Sequence, residues 1–132
     1  MSVLELNGRI FDASTTGTLT LTGEGGAATT DVTQGLVKGW LNFDPADSNA
    51  VRDSFNMSFL TDEGTGEFMV GITNNMANVN YAVHVTGSTN RTGSVDSDTQ
   101  TAGQYSIEFD EDANGNRADV NMGYTSFLGD LA

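Results

Sequence analysis

Cysteine is missing from this chain altogether, which excludes disulfide staples, zinc ribbons, iron–sulfur clusters and cysteine nucleophiles. Basic residues are nearly as scarce. Five of them face 18 acids, for a formal charge of −13, and Lys38 is the lone lysine. Such a chain repels phosphate backbones and anionic lipid, so no nucleic acid and no membrane insertion are expected among its partners. Long apolar runs are absent too. No stretch reaches the roughly 18 apolar residues of a membrane span. The start, "MSVLELNGRIFDA", lacks the basic and apolar regions of a signal peptide, so synthesis in a cytoplasm is expected. There is one proline and one histidine. The acidic balance has two readings: ordinary solubility, or a surface kept hydrated in a salty medium.

What is present alternates with period two. In "VRDSFNMSFL", Val51, Phe55, Met57 and Phe59 alternate with Arg52, Ser54, Asn56 and Ser58. Phe68, Val70 and Ile72 share one face of "GEFMVGIT"; Val79, Tyr81, Val83 and Val85 share one of "NVNYAVHV". Val120, Met122 and Tyr124 do so in "ADVNMGYTSFL". That period predicts half-buried strands, each with one side on a core. About eight are expected, over 3–11 (with a break at Asn7-Gly8), 18–22, 36–43, 51–60, 66–73, 79–86, 104–109 and 117–127. Gly-, Asn- and Thr-rich turns separate them. The expected fold is all-β: an antiparallel β-sandwich, jelly-roll-like, or a small barrel, with an extended N-terminal segment. Residues 12–35 are Thr/Gly-rich, with only Leu19, Leu21 and Val32 as anchors. They cannot bury enough to fold alone. The expected division is therefore an assembly arm over 1–35 and a sandwich domain over 36–132.

"EFDEDANGNRADV" (108–120) sets Asp110, Asp112, Asn114 and Gly115 in the D-x-D-x-N-G opening of a calcium loop, with Asn116 offering its carbonyl. The twelfth position, which should be a bidentate acid, is Asn121; Asp119 substitutes only if the loop closes differently. The favoured reading is a hairpin in which Asn114 and Gly115 both take positive φ. His84 has no predictable Ser or Asp partner, and Asp62-Glu63 and Asp96/Asp98 are placed in turns, so no catalytic residue is assigned. Nor is any cofactor or metal. Trp40 lies on a strand, "LVKGWLNFD", with apolar groups on both faces. It is read as buried on both sides, as a subunit contact, or as a platform for sugar stacking. Arg52 is either paired with a carboxylate under a loop or a solvated rim residue.

The stretches "QGLVKGWLNFD" and "AVRDSFNMSFLTDEGTGEFMVGITNNMANVNYAV", over roughly residues 34–86, resemble a β-rich module of tailed-bacteriophage virion proteins, notably marine ones. There it forms the outer part of tail fibres or occurs in short structural proteins. The resemblance implies a non-enzymatic exterior component of a phage particle, localised to the virion. A fibre tip, a tail-associated subunit and a head decoration protein all fit. It implies a homotrimer, with other virion proteins as partners. Asn/Thr/Ser-rich loops over 74–80 and 87–103 make host-surface glycan a further expected partner. The alternative from another class is a calcium-dependent carbohydrate-binding or adhesive β-module.

Overall fold

A computed structural model describes residues 3–6, 9–12, 20–22, 29–88 and 90–132. The chain divides into two compact units, Met1–Leu36 and Val37–Ala132. In the first, β1 (Val3–Leu6) pairs antiparallel with β2 (Arg9–Asp12), Leu6 opposite Arg9. β3 (Thr20–Thr22) pairs with β4 (Thr29–Asp31), and a single turn of helix, α1 (Val32–Gly35), follows. Residues 13–19 and 23–28 of the Thr/Gly-rich stretch lie outside the described residues.

The second unit is an antiparallel β-sandwich of eight strands, with no closed barrel. Its strands are β5 (Val37–Asp44), β6 (Ala50–Phe55), β7 (Met57–Gly64), β8 (Glu67–Ile72), β9 (Ala82–Gly87), β10 (Arg91–Thr101), β11 (Gln104–Glu111) and β12 (Gly123–Leu128). One sheet has the order β10-β11-β8-β7; the other has the order β6-β5-β12-β9. β5–β6, β7–β8 and β10–β11 are hairpins within a sheet, and the remaining connections cross between sheets.

The core lies between the sheets. Phe68, Val70, Tyr105, Ile107 and Phe109 from one face meet Leu41, Phe43 and Phe127 from the other. Phe43 sits 5.2 Å from Phe68 in an edge-to-face contact, and Tyr81, Tyr105 and Phe127 form a second such cluster at 5.9 to 6.3 Å. Each contact of this kind adds about 1 kcal/mol beyond its buried area. The phenols inside are satisfied: Tyr81 donates to the carbonyls of Thr101 and Gln104, and Tyr105 bonds the hydroxyl of Thr125.

Several expectations are corrected here. The strand expected over 51–60 is two strands in different sheets. The chain breaks at Asn56, whose φ of 59° lies in the left-handed region that asparagine tolerates. Its amide locks the corner by donating to the Lys38 carbonyl and accepting from both the backbone and the side chain of Asn74. Residues 91–101, expected within a loop, form the longest strand, β10. Its signal is weak because it is an edge strand with one large apolar residue, Val95. At Gly93 the inward space is filled by Val85, whose Cγ1 lies 2.6 Å from where a Cβ would sit. Asp96 and Asp98 thus stand on a strand, at a break in its register, and not in a turn.

The strand expected from 117 begins at Gly123, and its inward positions are Gly123, Thr125 and Phe127. Met122 and Tyr124 are exposed, contrary to expectation, while Val120 is buried. Residues 118–121 cross between the sheets, tied by Ala118 N–H to the Phe109 carbonyl and by Ala46 N–H to that of Val120. Gly66 permits this crossing. Its φ is +71°, and a Cβ there would stand 2.6 Å from the Phe109 carbonyl oxygen. Val79 is exposed as well; β9 begins only at Ala82.

Two outcomes test this packing. Phe43→Ala empties the centre of one aromatic cluster and should cost about 3–5 kcal/mol in urea unfolding. The second concerns pH. Burial pushes the Tyr81 hydroxyl up from 10.0 to about 12. Burial also raises Tyr105, against the opposing effect of its Thr125 hydrogen bond. A folded-state pKa above the unfolded one stabilises the fold below the unfolded value, and that stability is lost as pH rises. Unfolding free energy should therefore begin to fall near pH 10 and continue through about 12, and a Tyr81→Phe variant should show a shallower fall.

Candidate functional site

Two surfaces of the sandwich expose large apolar side chains among the described residues. The first is the side on which both sheets end. β6 edges one sheet and β7 the other, and they are joined through Asn56. All six residues of β6 are exposed, with Val51 at 51% and Phe55 at 56%. Phe59 on β7 is 43% exposed, its ring lying over Gly71. Between the two strands a small cleft of about 120 Å³ is lined by Val51, Met57, Phe59, Leu60 and the core residue Leu41. The sequence reading placed Val51, Phe55 and Phe59 on a buried face. They are not buried: Phe55 stands opposite Trp40 and Phe59 opposite Gly71, so register turns both to the outer faces of their sheets, and Val51 is left at the rim.

The second surface is the outer face of the sheet β6-β5-β12-β9. Strand register arranges it as a lattice. One row runs Phe55, Trp40, Ser126, His84; the next runs Asp53, Asn42, Tyr124, Thr86. Trp40 is 37% exposed and Tyr124 39%. The floor is a shallow depression of about 370 Å³. Burial of Trp40 on both sides is thus corrected: Leu41 and Phe43 point inward, and Trp40 stands on the open outer face. The sequence leaves Trp40 between burial, a subunit contact and an open platform, and cannot place Tyr124 beside it, since their juxtaposition depends on β12 inserting between β5 and β9.

His84 faces outward, and its cross-strand neighbour is Ser126. No carboxylate is among the residues lining the depression, so a nucleophile, a base and an orienting acid are not assembled there. Arg52 takes the paired form: its guanidinium lies 2.5 Å from Asp44 and also donates to the carbonyl of Asn121.

At the acidic tip, Gly115 takes positive φ but Asn114 does not, so the hairpin reading needs correction. Gly115 N–H donates back to the Glu111 carbonyl, and Glu111 N–H to that of Asn116. The returning chain makes one bridge, Asp110 to Arg117, before leaving for the other sheet. One oxygen of each side chain in the calcium-loop pattern already has a protein partner. Asp110 accepts from Arg117, Asp112 from the Thr92 hydroxyl, Asn114 from Asn116 N–H, and Asp119 from Gly66 N–H. Among the described residues no three acids or histidines come together to hold a metal ion. Arg117 binds Glu67 and Glu108 as well as Asp110. Partial burial works against its charge, but the Glu108 hydrogen bond and the three carboxylates outweigh it and raise its pKa.

No family model matches the chain, and no match was found among curated proteins or solved structures.

Since these oxygens are engaged internally, calcium should produce no binding heat in calorimetry and no rise in melting temperature. A one-to-one event lost in Asp112→Ala would overturn that expectation.

Proposed function

We propose that this chain is a non-catalytic structural component of a tailed-phage particle, exposed on its exterior, which works by docking against copies of itself and neighbouring particle proteins. The observation that carries the reading is the open side of the sandwich. Val51 at the rim, Phe55 on the outer face of β6 and Phe59 on the outer face of β7 are all exposed along two strands that have no further sheet partner among the described residues. Edge strands present free backbone donors and acceptors, and natural proteins cover or blunt them. The charges on these strands, Arg52 and Asp53 on β6 and Asp62 and Glu63 on β7, flank an uncharged run over 54–60. Large apolar side chains exposed along both edges mark an interaction surface.

A second copy supplies a suitable cover. The β6 edge of one copy meets the β7 edge of the next, a head-to-tail contact that closes into a ring. The resemblance to fibre modules supports a trimer, in which each copy docks on the next. The net charge of −13 fits this division of labour. It keeps the remaining surface hydrated and discourages stray association, leaving the apolar side as the adhesive one.

The test is the mass in solution. Light scattering after size exclusion should give three chain masses for the parent protein. Val51→Asp and Phe59→Asp, each placing a charge in the docking surface, should shift the protein toward monomer while leaving far-ultraviolet circular dichroism intact. A parent protein that stays monomeric at every concentration would sink the reading.

A further inference from the structure

We infer that the outer face of the sheet β6-β5-β12-β9 is a binding site for an uncharged saccharide, with Trp40 and Tyr124 as its stacking surfaces. This inference does not rest on the assembly reading, which concerns the sandwich's open side.

The ligand class follows from the lining. Trp40 on β5 and Tyr124 on β12 are diagonal neighbours, because Trp40 stands opposite Ser126 and Tyr124 opposite Asn42. Side chains so placed lie about 7–8 Å apart on one face of a sheet. Two half-exposed aromatic residues on a common floor offer apolar area side by side. A cage for an organic cation instead needs rings that surround the charge. Beside these rings stand Asn42, Ser126, Thr86 and His84, which supply amide, hydroxyl and imidazole groups at alternate lattice points. The surface is therefore apolar and hydrogen-bonding within a few ångströms. A dry protein–protein contact would leave those polar groups without partners, at a cost of about 1–3 kcal/mol each. A sugar ring has the matching character: a face of C–H groups for the aromatic residues, and hydroxyls at its rim that donate and accept.

Charge narrows the class further. The lining holds no lysine or arginine, and the chain as a whole carries −13. Lys38 precedes Trp40 by two residues on β5, but Asp53 borders the same face and the net charge repels phosphorylated ligands, nucleotides, uronates and sialylated chains at long range. An uncharged saccharide meets no such penalty. The depression, at about 370 Å³, falls within the usual range for small-molecule sites.

The chain's single tryptophan makes the test direct. Short uncharged oligosaccharides of hexose and N-acetylhexosamine type are titrated into the full chain, with Trp40 emission and calorimetry as readouts. Uronate and sialylated oligomers form a second arm. The expected result is a saturable change in Trp40 emission with at least one uncharged oligomer and none with the charged ones. Tyr124→Ala, which keeps the fluorophore, should weaken binding about tenfold or more, the equivalent of one lost ring contact. Trp40→Ala should abolish the calorimetric signal. Both residues are on the solvent side of the sheet, so circular dichroism and melting temperature of both variants should stay near the parent's. The inference is overturned if no uncharged saccharide binds up to millimolar concentration. It is equally overturned if charged oligomers bind as well as uncharged ones, or if a folded Trp40→Ala/Tyr124→Ala protein binds as tightly as the parent.

Discussion

Edge-to-face packing of aromatic rings between the two sheets is the interaction on which the rest of the molecule depends. Phe43, Phe68 and Phe109 form one cluster; Tyr81, Tyr105 and Phe127 form another. Every ring but those of Tyr81 and Phe127 sits on β5, β8 or β11, and Phe127 brings in β12. Those four strands are the inner members of the two sheets. The aromatic layer therefore holds the centres of the sheets together and leaves the margins to smaller contacts. The hydroxyl pair of Tyr105 and Thr125 is a buried polar link across the layer, so it fixes relative register without leaving an orphaned group.

That layout explains why the sandwich is asymmetric. At one side, β9 and β10 pack closely because Gly93 makes room for Val85. At an end, residues 118–121 cross over and insert Val120, anchored by Asp119 on the Gly66 amide. On the β6–β7 side nothing comparable occurs among the described residues. The chain turns the corner at Asn56 and spends its hydrogen bonds on Lys38 and Asn74, which fixes the two strands in separate sheets and keeps them apart. The apolar groups of β6 and β7 are then left at the rim. The two surfaces of interest follow from one arrangement: a core concentrated on inner strands, with an open rim on one side and a flat, mixed face behind β5 and β12.

Much of the fold was legible because alternation reports burial directly. Phe68, Val70 and Ile72 are buried as their spacing indicates, and Tyr105, Ile107 and Phe109 lie on a strand expected in their place. The misreadings share a cause. Val51, Phe55 and Phe59 have the pattern of a buried face, but bulges in β6 and β7 break the alternation, so that Phe55 falls opposite Trp40 and Phe59 opposite Gly71, both on outer faces. Met122 and Tyr124 alternate with Gly123 and Thr125; here the smaller residues face inward because the Phe43 ring fills the space beside Gly123. β10 escaped notice since an edge strand is held by backbone hydrogen bonds, which leave little trace in side-chain hydrophobicity. The acidic tip resembled an ion cage in its spacing alone. Its oxygens are occupied by Arg117, Thr92 and nearby amides, which only folding brings within reach.

The amino-acid sequence by itself determined the all-β class, the absence of cysteine chemistry, the repulsion of polyanions and the position of most strands. These are local or additive properties: period-two alternation, turn residues and summed charge act without reference to distant parts of the chain. Tertiary structure decided which side of each strand meets the core, where one strand becomes two, and that Trp40, Tyr124 and His84 share a surface. Those outcomes depend on β12 pairing between β5 and β9, across sequence separations that no local pattern encodes. Only the register of that pairing turns scattered aromatic and polar residues into a single face.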